Sequence, residues 1–144
     1  MSLEIGEYVE AIDELRAYLS AEAGDATVRY DLASALLHVG RDPEAQAEFT
    51  KVLELDPRNR DALMGLGNAY LHLGKLDEAV ATYQEASRED PMDPHPYFSL
   101  GVLYEDYKYD SESAVAAYRK YLELGGKESL RVERWIQKLT GEKP

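Results

Sequence analysis

Two histidines, His38 and His72, stand 34 residues apart, and Asp106 stands a further 34 along. Imidazole nitrogens and a carboxylate are ligands that a zinc-like ion takes, so this column could hold a metal. Equivalent positions on neighbouring helices of a regular stack lie roughly 10 Å apart. Two histidines could just converge at that spacing, with Asp106 as a more remote third ligand. The competing reading makes them solvated residues near helix C-termini, where histidine complements the helix dipole. That second reading is preferred, and no metal or cofactor is expected. Gly65-Leu66-Gly67 is the nearest approach to a phosphate-cradling glycine loop, but it lies inside a helical apolar pattern instead of between a strand and a helix. The chain carries no H-E-x-x-H and no G-x-S-x-G. Cysteine is absent, which removes thiol nucleophiles, thiolate metal sites and a disulfide framework. The expectation is a protein without catalytic residues, not an enzyme.

Composition narrows the partners. The net charge is −12, from 28 acidic and 16 basic residues. Nucleic-acid binding draws much of its affinity from lysine and arginine on phosphates, so this balance argues against it and against docking on an anionic membrane surface. No apolar run approaches the ~20 residues of a membrane span. The acidic stretch Met1 to Glu14 does not resemble a secretory leader. A soluble, cytoplasmic chain is the expectation. Many acids also have a local use: Asp42, Glu44, Asp77, Glu78, Asp110 and Glu112 fall where helices should begin, near the positive end of the dipole.

The elements that must position any site follow from a repeat of 34 residues. At that step Leu32, Leu66 and Leu100 form one column, Ala33, Gly67 and Gly101 the next, and Leu36, Tyr70 and Tyr104 another. Ala45 and Ala79 continue as Ala114, and Phe49 and Tyr83 as Tyr118, after one extra residue in the turn Tyr107 to Ser113. Gly6, Gly40 and Gly74 mark joins, and Pro57 and Pro91 mark ends of units. The pattern predicts helices over 7–22, 26–39, 42–55, 60–73, 76–89, 94–107, 111–124 and 128–139. Asp42-Pro43 and Asp93-Pro94 read as N-caps with proline in the first turn, and Asn59 as a further cap. Gly40 and Gly74 read as left-handed helix ends.

These columns resemble the tetratricopeptide repeat, a 34-residue helix–turn–helix unit with the pattern W-x2-L-G-x2-Y…A-x3-F…P. Leu63-x2-Leu66-Gly67-x2-Tyr70, Ala79-x3-Tyr83 and Pro91 match it best. The first unit departs with Arg29 where a bulky apolar residue usually sits, and the third ends in Gly125-Gly126 instead of proline. The resemblance implies an all-α, right-handed solenoid in one domain. A half-repeat helix covers 1–25, repeats cover 26–59, 60–93 and 94–126, and a capping helix with its tail covers 127–144. Close helix approach explains Ala33, Gly67 and Gly101, which are expected to face the small column Ala45, Ala79 and Ala114. Gly65 belongs to neither column. It is expected on the groove side, admitting a ligand backbone or simply tolerated, so that Gly65→Ala would be harmless.

In this family the first helices of the units line a concave groove. The groove columns here are Tyr30, Met64 and Phe98; Ser34, Asn68 and Val102; Leu37, Leu71 and Glu105; His38, His72 and Asp106. Methionine and aromatics at helical spacing are usually core, but the core columns are already filled, and exposed apolar surface often marks a binding site. The resemblance thus implies a protein or peptide partner held by Tyr30, Ser34, Leu37, His38, Met64, Asn68, Leu71, His72, Phe98 and Val102. A chaperone C-terminal carboxylate is not the expected ligand, because Tyr30, Ser34, Gly65, His95 and Ser99 offer no cationic fork at the matching positions.

The two ends differ. Val132, Trp135, Ile136 and Leu139 continue the columns and read as a finished cap. The helix over 7–22 keeps the register of a second helix without its first, and it reads as cut or open. Its apolar residues Tyr8, Ile12, Leu15 and Leu19 are more than one neighbour is expected to cover. A homodimer through that face, or a chain continuing upstream, is the alternative expectation.

Overall fold

The computed structural model describes residues 3–142. Among them are eight α-helices and no strand: α1 (Leu3–Ala21), α2 (Ala26–His38), α3 (Asp42–Leu55), α4 (Arg60–His72), α5 (Leu76–Glu89), α6 (His95–Asp106), α7 (Ser111–Glu123) and α8 (Ser129–Thr140). The helices fall within a few residues of the expected spans. The largest departure is α1, in which Gly6 lies inside the helix and marks no join. Gly6 carries the repeat's column but is not preceded by a first helix among the described residues, so nothing there requires a turn.

Local capping sets the boundaries. The Asn59 side chain accepts from the Ala62 backbone N–H at 3.0 Å and starts α4. Asp25 does the same for α2 with the Val28 N–H, at 3.0 Å. At α7 the Asp110 carboxylate accepts from the Ser113 N–H at 3.1 Å and the Ser113 hydroxyl at 2.6 Å. These bonds hold the Asp110 carboxyl below its ordinary range, so the cap is made above that lowered pKa and lost as pH falls through it. Two expected caps are corrected. Asp42 is already the first residue of α3, and its carboxylate faces the His72 Nδ1 at 3.2 Å instead of capping. Pro94, one residue on, holds the cap position of α6, while Asp93 accepts from the His95 N–H at 3.0 Å.

The C-terminal ends of α2 and α4 repeat one another. Gly40 (φ 79°) and Gly74 (φ 74°) adopt the left-handed conformation, as expected. The next N–H then turns back: Arg41 donates to the Leu36 carbonyl and Lys75 to the Tyr70 carbonyl, each at 2.9 Å. After α6 the inserted residue changes this, and Tyr109 takes a positive φ of 54°. Its side chain is 84% exposed and loses nothing if removed. A left-handed non-glycine residue costs about 1–2 kcal/mol, part of which glycine's larger unfolded-state entropy offsets. Tyr109→Gly is therefore expected to stabilise by about 0.5–1 kcal/mol, read as a raised denaturation midpoint.

The chain forms two compact units, residues 1–82 and 83–144, with the division inside α5. In the first, α1 packs on α2, α2 on α3 and α3 on α4. Ile12, Leu19, Leu32, Leu36, Phe49, Val52 and Leu66 interlock with small residues Ala33, Ala45, Ala62 and Ala69. Arg29, which departs from the repeat's apolar column, is accommodated by a second change. Its guanidinium pairs with Glu48 of α3 at 2.7 Å and also donates to the Ala23 carbonyl at 2.8 Å. Thirty-four residues on, the same two columns hold Leu63 and Thr82, both buried.

In the second unit, α6 packs on α7 and α7 on α8 around Ala114, Val115, Tyr118, Tyr121, Val132 and Ile136. The closest approach at Gly101 is to an aromatic ring: a Cβ there would stand 2.3 Å from Tyr118 Cε1. Burial, then the hydrogen bond it donates to Glu105 at 2.7 Å, pushes the Tyr118 hydroxyl far up, so it stays a donor. Gly126 plays a related part. A Cβ would stand 2.1 Å from the Tyr121 ring, whose hydroxyl accepts the Glu128 N–H at 2.8 Å where α8 begins. The glycine pair that replaces proline thus lets Tyr121 lie flat under the turn.

Candidate groove of the first unit

The spacing that keeps α2 and α4 on the same side of α3 leaves a hollow between them. A pocket of 210 Å³ is lined by Tyr30, Ser34, Leu37 and His38 from α2, Phe49 from α3, and Asp61, Met64, Gly65 and Asn68 from α4. Six of the residues expected in the groove, Tyr30, Ser34, Leu37, His38, Met64 and Asn68, therefore meet at one place. A second, larger hollow of 640 Å³ lies between α1 and α2. It shares Tyr30, Ser34 and His38 with the first, and adds Tyr8, Ala11, Glu14, Leu15 and Tyr18 from α1 and Val28, Asp31 and Ala35 around α2. The two adjoin along α2, sharing these three side chains, and are together called the trough.

The walls are preorganised. His38 stacks on Tyr8 with ring centroids 4.8 Å apart and 17° between planes, and its Nδ1 lies 2.9 Å from the Ser34 carbonyl. Tyr30 meets Phe49 edge to face at 5.8 Å. Phe49 is fully buried and forms the floor, and Gly65 lies over it: a Cβ on Gly65 would stand 2.4 Å from Phe49 Cε1 and Cζ. Gly65 does line the hollow, as expected of a groove-side residue. The expectation that an alanine there would be harmless is corrected, because the ring occupies the space a methyl group needs. Such a trough can hold side chains by apolar contact. It presents no nucleophile, base and oriented third group together, and the described residues contain no cluster of three metal-ligating side chains.

The other expected site residues lie elsewhere. Leu71 is half-buried and outside the lining of either hollow. His72 is exposed and faces Asp42. His38 and His72 thus have different neighbours, Tyr8 and Asp42. Phe98 and Val102 belong to the second unit, where they pack against its core. Phe98 lies 5.3 Å from Tyr121 and 5.8 Å from Trp135, ring to ring. Glu105, of the third groove column, accepts the Tyr118 hydroxyl.

The self-association face is corrected. Ile12 is 0% and Leu19 7% exposed, both inside the core formed with α2 and α3. Neighbouring helices cover these residues, and only Tyr8 and Leu15 of the four remain at the surface, as walls of the trough. Sequence reasoning does not place Tyr8, Tyr18, Asp31 or Glu14 in the groove. The available signal is the aromatic spacing of α1, which the sequence reading assigns to a dimer face.

A repeating helix–turn–helix chain with an apolar trough along its first helices defines a helical-repeat protein. Residues 30–94 match the tetratricopeptide repeat family, and the chain has the all-α solenoid fold of tetratricopeptide-repeat structures. No curated protein matches the chain by sequence. Among solved structures it is similar to MamA (residue 41 to the end) from Desulfovibrio magneticus RS-1, with 24% identity, 96% of this chain and 77% of that one covered, and a TM-score of 0.81. It is similar to TTC0263, a thermophilic TPR protein of Thermus thermophilus, with 20% identity, coverage of 94% and 74%, and a TM-score of 0.74. It is also similar to the Yersinia enterocolitica type III secretion chaperone SycD, in complex with a peptide of the translocator YopD. There the identity is 21%, the coverage 81% of this chain and 92% of that one, and the TM-score 0.73. No helix among the described residues is long and apolar enough to cross a membrane.

Proposed function

We propose that this chain is a non-catalytic protein-interaction module that works in the cytoplasm and holds a peptide segment of a partner in the trough of its first unit. The observation that carries the reading is the convergence of Tyr30, Leu37, Met64 and Phe49 on one apolar hollow, which adjoins the hollow beside α1. A preformed concave apolar surface with a few polar groups is the usual form of a binding site. Ser34 and Asn68 supply the polar groups here. The SycD complex supports the reading by example, as a structure of similar fold crystallised with a peptide. Homodimerisation through Tyr8 and Leu15 would use the same trough, so it would compete with a peptide.

Met64→Glu tests this. Met64 is half-buried at the rim, and the carboxylate can reach water, so the melting temperature and helical circular dichroism are expected to stay nearly unchanged. Partner capture from lysate of the source organism is expected to be lost. Removing a buried apolar contact forfeits about 1.5–3 kcal/mol, and a charge in the dry contact opposes binding further. Partners retained at the parental yield would sink the groove reading. A large fall in melting temperature would show that Met64 supports the core instead.

A further inference from the structure

The trough is apolar at its floor, yet every carboxylate on its walls is left without a cation. Glu14 lines the hollow beside α1, Asp31 stands on α2, and Asp61 opens α4. None of the three forms an ion pair or side-chain hydrogen bond among the described residues. Four cations of the first unit are held by α3. Arg16 and Arg41 both bind Glu44, and Arg29 and Lys51 both bind Glu48. The only nitrogen-bearing side chains lining the two hollows are His38, committed to Tyr8 and the Ser34 carbonyl, and the neutral Asn68.

Negative charge beside low-dielectric walls acts over a longer range than on an open surface and raises the local concentration of cations. An occupant that covers these carboxylates without supplying charge must desolvate them, which is unfavourable. An acidic segment would be repelled as well. The trough therefore selects by sign as well as by hydrophobicity.

Resting on the peptide-binding reading above, we infer that the occupant is a cationic amphipathic peptide segment. Its apolar or aromatic side chains lie against Tyr8, Tyr30, Phe49 and Met64, and its lysines or arginines reach Glu14, Asp31 and Asp61. Electrostatic complementarity of this kind contributes mainly specificity and association rate. The apolar floor supplies most of the affinity.

The test uses a display library of random twelve-residue peptides panned against the full chain. Recovered peptides are expected to be enriched both in large apolar residues and in lysine or arginine. A synthetic peptide of the recovered consensus is then titrated by fluorescence anisotropy. Glu14→Lys with Asp31→Lys should weaken it by about tenfold or more at low salt, and the deficit should shrink as ionic strength rises. Glu54→Lys with Glu133→Lys changes the net charge equally at exposed sites outside the trough and should have little effect. Both pairs are exposed and leave the core untouched. Recovered peptides that are neutral or acidic would overturn the inference while leaving the trough as a peptide site. Equal weakening by the two charge-reversed proteins would also overturn it, since the attraction would then be to net charge alone. Recovery of no peptide whose binding depends on Met64 would instead remove the underlying groove reading.

Discussion

Ile12→Lys is expected to unfold the first unit, not to separate subunits. Ile12 has no exposed surface and belongs to the same core as Leu19, Leu32 and Phe49. Truncating a buried isoleucine typically costs about 2–5 kcal/mol, before any charge is considered. The ammonium group must then either be desolvated or release its proton. The total is about 4 kcal/mol or more, a large share of the roughly 5–15 kcal/mol that holds a domain folded. The sign with pH follows. A buried lysine has a depressed pKa, so the unfolded state binds the extra proton, and the loss is full below that depressed pKa. It eases as pH rises towards the unfolded value of about 10. Tyr8→Lys is the control: Tyr8 is half-buried on His38, and losing that stack costs about 1 kcal/mol. Urea denaturation followed by circular dichroism separates the two. An Ile12→Lys protein with the parental midpoint and an altered sedimentation coefficient would restore α1 as an outward, dimer-forming face.

That outcome bears on how much the chain's letters disclose. A period of 34 residues locates all eight helices, because the repeat's caps and joins are local chemistry: Asn59 finds the Ala62 N–H, and Gly40 and Gly74 close their helices alike. The groove columns of α2 and α4 are legible for the same reason. Equivalent residues of stacked repeats must lie side by side, and Tyr30 and Met64 do. Contacts that run between columns are not legible. Gly65 meets Phe49, from the second helix of one repeat to the first helix of the next, and the 34-residue step, which relates equivalent positions only, does not pair them. The dimer face fails differently. A helical apolar stripe tells that α1 is covered, not by what, and Ile12 and Leu19 find their cover within the chain. Arg29 looks like a blemish in its column when read singly. Compared two columns at a time, Arg29 with Glu48 against Leu63 with Thr82, the change is a matched pair.

Gly65 and Phe49 are expected to behave as one structural element. Gly65→Ala gains about 1 kcal/mol of helix propensity. Against this, its methyl group would stand 2.4 Å from two carbons of the Phe49 ring. Phe49 is 1% exposed and meets Tyr30 edge to face, so the ring can make room only by giving up that packing. Overpacking of this kind costs about 1–3 kcal/mol, which leaves a net loss of up to about 2 kcal/mol for alanine and a larger one for leucine. Phe49→Leu alone opens a cavity and should destabilise by about 1–2 kcal/mol. In that background the Gly65→Ala methyl group enters the vacated space, and its effect should become neutral or favourable. The resulting coupling of about 1–3 kcal/mol is what residues in direct contact show and distant ones do not. Additive losses across the four proteins would mean that α3 and α4 do not approach at this point. The cycle also reaches function, because both residues line the smaller hollow. The double variant should fold nearly as well as the parent, yet its floor would carry an aliphatic group in place of a ring. Glycine at position 65 is thus what allows an aromatic floor, and a stable double variant with weakened peptide capture would separate the stability of the repeat from the shape of its site.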